Sequence, residues 1–398
     1  MFAASTCLTL VHGASTPLLA RYALDDLGAT TTVAGLIVGS SSVAAIVVRP
    51  MLGKLADRYG VRRMSVLGAL VLASGLLVLM LARSVGPGTA GRLIGGLGVA
   101  ATTTALIAWV IGLVPIEQRG RALGIFGVSI WMGLSIGPQI GETLVSLGGY
   151  SAMWIGCIAL TIGSAVLVMR AQAPRIEPGA APGSPPRRRG AHLLRLVAKP
   201  GAASAIAWCG EGMVIVFLIV HLEDRGLPSG GLTGAASVFT VFAVTVIVAR
   251  LATANLVDRI GAVPIGAASL LTVGLGLATL AISGSFAVAA LGGALLGIGF
   301  APLFPAMAWL ATERLEPEER GQGIGIFSAF MDAGIGAGSI LGGVLVTAIG
   351  TAGAFGVMAA SQLVALALVL SVHPHRSSSL AGLETSIEFA EASERPPP

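Results

Sequence analysis

The sequence predicts an all-α integral membrane protein with twelve transmembrane helices in two pseudo-symmetric six-helix halves. Three observations predict it. Apolar residues make up 55% of the 398 positions and charged residues 11%, against roughly 45–50% and about 25% in soluble globular chains. Twelve apolar stretches each approach the ~20 residues that a helix needs to cross a bilayer. A set of residues then returns at one constant offset of 201 positions, so the chain repeats itself.

The spans are read at 2–20, 33–52, 64–82, 89–112, 122–143, 151–170, 201–221, 232–252, 263–282, 286–311, 322–347 and 351–372. The 56 glycines and 20 prolines do not oppose helices in a membrane, where neighbouring groups re-satisfy a broken backbone. Met1 leads straight into the first span with no basic region ahead of it, which does not look like a cleavable signal peptide. Of the 24 basic residues, Arg21, Arg83 and Arg225 fall on the connections that are outside when the N-terminus is inside, and Arg92 falls within the fourth span. The other twenty lie on the opposite side, which predicts a multi-pass protein of the plasma membrane with both termini cytoplasmic. On this view the formal charge of +5 serves topology and implies no nucleic-acid partner.

Residues 1–170 and 201–372 form the two predicted halves. The Pro-rich stretch 171–200, with Arg187, Arg188 and Arg189, reads as a cytoplasmic linker in which His192–Lys199 forms a short interfacial helix. Residues 373–398 read as a disordered cytoplasmic tail. Cys7, Cys157 and Cys209 are scattered among apolar residues and offer neither a disulfide framework nor a metal site. No phosphate loop and no zinc spacing is present, so the reading is a non-enzyme that needs no cofactor and no metal.

The repeat is carried by separate neighbourhoods. Leu55, Asp57, Arg58 and Gly60 return as Leu256, Asp258, Arg259 and Gly261, and Gly96 and Gly98 return as Gly297 and Gly299. Gly133, Gly137 and Gly141 return as Gly334, Gly338 and Gly342. Substrate sites of duplicated transporters commonly lie at the interface of the two copies, near the bilayer midplane.

Between the second and third spans stands Gly53-Lys-Leu-Ala-Asp57-Arg58-Tyr-Gly60-Val-Arg62-Arg63. A carboxylate and several guanidiniums at a helix end suit a breakable conformational latch, and Asp258 and Arg259 repeat part of it; simple anchoring of topology is the alternative. This stretch resembles the signature loop of the major facilitator superfamily. The fifth span carries Gly124, Gly133, Gly137-Pro138 and Gly141, a spacing similar to that family's antiporter motif, with Glu142 where the family pattern usually ends in a second glycine. A pliable, closely packed helix between the halves is the expectation there. Arg92, Gly96 and Gly98 resemble a further family motif linked to proton transfer, whereas the repeat has Gly293 in place of the arginine.

The resemblance implies alternating access around a midplane cavity lined by helices 1, 4, 7 and 10. Burial disfavours the charged form of a carboxylate, so an acid inside a span can take up a proton on one side and release it on the other. Glu211 is the first candidate for proton coupling, followed by Asp332, Arg92, Glu142 and His12. Glu211, Trp208, Met213, Phe300, Phe304 and Trp309 are candidates for the substrate cavity, while Trp109 and Trp154 read as interface-belt or packing residues. The implied partners are the lipid bilayer, protons and a small molecule, and the chain is expected to work as a monomer. Proton-coupled efflux of an amphipathic, drug-like molecule or secondary metabolite is the leading expectation. Proton-driven uptake of a sugar or organic acid, and a non-transporting receptor or scaffold, stay open.

Overall fold

The computed structural model describes residues 2–113, 119–171, 190–253, 255–316 and 319–372. Their regular structure is helical: α1 (Phe2–Asp25), α2 (Thr31–Tyr59), α3 (Val61–Leu81), α4 (Val85–Leu113), α5 (Arg119–Arg170), α6 (Gly190–Glu223), α7 (Ala235–Ala252), α8 (Leu256–Ile260), α9 (Ala262–Ala281), α10 (Phe286–Thr312) and α11 (Arg320–Leu370). Nine of these are long and apolar enough to cross a membrane. Two of the nine are pairs of spans: α5 breaks at Gly148 and Gly149, and α11 breaks at Gly350. With the 24-residue α1 the chain makes twelve crossings.

A membrane setting is visible in α3. Leu72, Leu76 and Leu79 are buried on one face, while Leu67, Leu70, Leu77 and Leu81 are exposed on the other. A helix equally apolar on both faces is stable only where the surroundings are as apolar as the core.

Hydrocarbon gives helices no hydrophobic reason to associate, so close packing must do it. Gly137 faces Gly13, and a Cβ placed on Gly137 would come within 2.6 Å of the Gly13 carbonyl carbon. Gly338 faces the Cys209 carbonyl in the same way, so α5 closes on α1 as α11 closes on α6. A Cβ on Gly98 would lie 2.7 Å from the Gly68 carbonyl oxygen, and one on Gly299 would lie 2.9 Å from that of Ser269. The backbone repeats too: Gly60 and Gly261 have φ of 83° and 99°, and Gly149 and Gly350 have φ of 66° and 75°. Only the first helix of each half is out of step, pairing Gly13 with Cys209 at an offset of 196.

Three sequence expectations change. The signature stretch is not a loop: α2 runs unbroken to Tyr59 and α3 starts at Val61, leaving Gly60 alone as the turn. Nothing in residues 53–59 breaks a helix, and a left-handed glycine suffices to reverse it. In the second copy the chain pauses near Thr253 and Asn255 before the short helix α8. Secondly, α6 begins at Gly190, so His192–Lys199 belongs to a membrane-crossing helix, with Pro200 inside it. Thirdly, the close packing of Gly133, Gly137 and Gly141 is against α1 within their own half, while other residues of α5 meet α7 of the second half. Residues 172–189 and 373–398 lie outside the described residues, as do the surroundings of Gly53, Asp57 and Gly124.

Candidate functional site

Glu211 stands in the middle of α6, 8% exposed. Among the described residues its carboxylate has no hydrogen-bonding or ionic partner. One turn back on the same face is Trp208, whose ring meets Phe300 of α10 with centroids 5.5 Å apart, edge to face. The row continues from Phe300 to Phe242 of α7 at 6.0 Å and to Trp131 of α5 at 5.7 Å, with the Arg250 guanidinium 5.8 Å from the Trp131 ring. This aromatic ladder runs from one half of the molecule into the other. A lone buried carboxylate beside aromatic faces suits a cationic amphipath.

A second buried charge is Arg92 of α4, also 8% exposed. Its Nη2 donates to Thr16 Oγ1 of α1 at 3.3 Å and its Nε to the Val38 carbonyl of α2 at 3.5 Å. Both contacts are long, both acceptors are neutral, and no carboxylate faces the guanidinium among the described residues. Thr16 Oγ1 also shares a hydrogen bond of 3.3 Å with His12 Nδ1. His12 is exposed, whereas the residues on either side of it in α1 are buried. The contact offset of 196 places Trp208 where the first half has His12, and Glu211 where it has Ser15.

A third cluster closes the end of the bundle where α1 and α6 finish. Arg21 Nη1 donates to Glu223 Oε1 at 2.7 Å, and its Nη2 donates to Glu142 Oε2 at 3.0 Å. Glu142 Oε1 is 3.0 Å from Arg21 Nη1 but is not aligned for a hydrogen bond. Arg21 Nε donates to the Tyr150 hydroxyl, which donates onward to Asp25. Glu223 belongs to the second half, so Arg21 ties the halves together. At the same end Thr240 donates to the Ser135 carbonyl at 2.6 Å, Gln139 donates to Ser237, and Thr31 and Thr32 meet Thr347.

The remaining sequence candidates are dispersed. Met213 is fully buried against Gly342, Phe304 lies 5.9 Å from Phe327 with an exposed face, and Trp309 is exposed. Asp332 is half-buried in the first arm of α11 and is engaged by a partner. Trp109 and Trp154 are fully buried, the latter edge-on to Tyr22 at 5.3 Å. Arg62 donates to the carbonyls of Met169 and Ala171, capping the end of α5, while Arg58 stacks on Tyr59. Arg63, Asp258 and Arg259 are exposed.

The sequence description of the Major Facilitator Superfamily matches residues 1–237 and, a second time, residues 201–395. The chain belongs to the major facilitator superfamily. Among its relatives is an uncharacterized transporter of this type from Salmonella typhimurium, 28% identical over 369 residues, covering 90% of this chain and 92% of the relative. The Escherichia coli protein YhhS, also an uncharacterized transporter of this type, is 26% identical, with 93% and 90% covered. Among solved structures, the nucleoside transporter NupG superposes with a TM-score of 0.74 at 16% identity over 94% of this chain and 98% of its own. A bacterial homologue of the lysosomal transporter Spinster, in an inward-facing and occupied conformation, gives 0.76 at 14% identity over 93% and 94%. Those likenesses describe the fold.

In this major facilitator protein, Thr16, Arg21, Trp131, Phe242, Tyr150 and Glu223 were missed by sequence reasoning. Trp131 and Phe242 look like ordinary packing residues until the ladder is traced in space. Arg21 entered only as a basic residue on an outer connection, and Glu223 drew no reading. The signal that could have joined them was their common side of the membrane, with one charge of each sign at corresponding helix ends.

Proposed function

We propose that the protein is a proton-coupled exporter of small amphipaths that carry a cationic group, with Glu211 binding proton and substrate by turns. The observation that carries this is the buried, unpartnered Glu211 one turn from the aromatic ladder. An unpaired carboxylate in hydrocarbon costs several kcal/mol. A proton or a cationic ligand each relieves that cost, and one carboxylate cannot take both at once. Competition for a single site makes the two move in opposite directions, which is exchange. With protons more concentrated outside, exchange exports the substrate.

The twenty-to-three bias of basic residues supports assigning the Arg21 end to the outside. The inter-half contacts of Arg21, Thr31, Gln139 and Thr240 then support an outwardly closed, inward-facing state. Arg92 and Glu142 have their own neighbours, and neither one contacts Glu211. The glycine-rich face of α5 favours neither export nor import, since α11 repeats it against α6.

The test uses purified protein in liposomes with a trapped pH-sensitive dye and an imposed proton gradient. A lipophilic amine should drive protons against its own movement. Glu211→Gln should abolish the coupled flux and leave any residual substrate movement insensitive to pH. Coupled flux with an unchanged pH profile in Glu211→Gln overturns the assignment, and protons moving together with a sugar or acid would establish uptake instead.

A further inference from the structure

The two halves of this protein share a backbone plan but not their buried charges. The repeat places Gly293 where the first half has Arg92, and the contact register places Ser15 where the second half has Glu211. Each charge is therefore dispensable for building a six-helix half. Each also lacks an ionic partner among the described residues, and the two do not pair with one another. A buried guanidinium left without a counter-ion is costly, and a ligand that supplies the anion removes that cost.

The surroundings of Arg92 fit such a ligand. A guanidinium has five N–H donors in a flat fork. Here two of them make long contacts to neutral oxygens, at 3.3 Å and 3.5 Å. Thr16 adds a hydroxyl, and His12 adds a ring nitrogen within reach of that hydroxyl. His12 is exposed while its neighbours along α1 are buried. α1, which carries His12 and Thr16, packs directly on α6, which carries Trp208 and Glu211.

We propose that Arg92, Thr16 and His12 form a docking site for a carboxylate, so that the transported molecule is a zwitterion with its anionic end in the first half. Its cationic end lies against Glu211, and this second contact rests on the function proposed above. Paired N–H donors of the Arg92 fork match the two oxygens of a carboxylate. Such a molecule links the two halves through its own charges, each end meeting the opposite sign.

The experiment measures binding to the purified full-length chain in nanodiscs by calorimetry, using benzoate, benzylamine and 4-(aminomethyl)benzoate, with sodium chloride at matched ionic strength as control. The zwitterion should bind at least about tenfold more tightly than either singly charged probe. Arg92→Gln should weaken benzoate and the zwitterion by about tenfold or more. Thr16→Val, which keeps the shape of the side chain, should weaken both several-fold if Arg92→Gln fails to fold. Benzoate binding that is absent from the wild type, matched by chloride, or unaffected by both variants overturns the site. Glu211→Gln separates the two proposals. If benzoate depends on Arg92 while benzylamine ignores Glu211→Gln, the carboxylate site stands and the Glu211 function falls.

Discussion

Replacing Glu223 by Gln removes one ion pair between the halves and leaves the rest of the Arg21 cluster in place. Arg21 and Glu142 sit on α1 and α5 of the same half, whereas Glu223 sits at the end of α6 in the other. Opening that end must therefore separate Arg21 from Glu223 while Arg21 keeps Glu142. A hydrogen bond to a charged group is worth about 1.5–3 kcal/mol. The Glu223 side chain is 30% exposed and that of Arg21 13%, so solvent screening brings the loss to about 1–1.5 kcal/mol. At about 1.4 kcal/mol per decade, the population open at that end should rise roughly five- to tenfold. The assay places a cysteine at Ser135, 7% exposed beneath Thr240, in a background where Cys7, Cys157 and Cys209 are alanine. Its rate of labelling by a membrane-impermeant maleimide reports the opening. Glu223→Gln should raise that rate by the factor above, and Glu142→Gln should raise it much less. Equal effects of the two variants, or no effect of Glu223→Gln in a folded protein, would refute the reasoning.

Other expected outcomes concern packing. Gly137→Ala and Gly338→Ala should each cost about 1–3 kcal/mol, because the added methyl meets backbone that cannot yield. Gly163→Ala, where the new Cβ meets nothing within 4 Å, should be neutral or stabilising by about 0.5–1 kcal/mol; thermal unfolding in detergent ranks the three. His221 is fully buried, with Nδ1 2.8 Å from Thr351 Oγ1 and Nε2 2.8 Å from the Leu280 carbonyl. His221→Leu should cost about 1–3 kcal/mol by stranding those groups, and it should leave the pH profile of transport unchanged.

The membrane setting, the twelve crossings and the repeated glycines could be read from the sequence, because each rests on local signals. A span is recognised from the composition of about 20 neighbouring residues, and glycines that close a helix contact repeat at the spacing of helical turns. The offset of 201 was visible wherever the halves kept the same residues. It failed in α1 and α6, where the five-residue change of register hid the match between Gly13 and Cys209. For the same reason the correspondence of Trp208 with His12, and of Glu211 with Ser15, was not legible.

What the sequence by itself determined is where the costly residues are: Glu211 and Arg92 stand out because charge in an apolar span is expensive wherever it points. Whom they meet was decided only in three dimensions. Glu142 looked like a candidate proton carrier and lies against Arg21, 121 residues away in the chain. Trp131, which sequence reasoning passed over, ends an aromatic row whose other members are at positions 242, 300 and 208. Arg62 looked like part of a latch and caps the end of α5 at Met169 and Ala171. Partners of this kind are set by how helices distant in sequence cross, and a side chain's neighbours along the chain carry no record of that crossing.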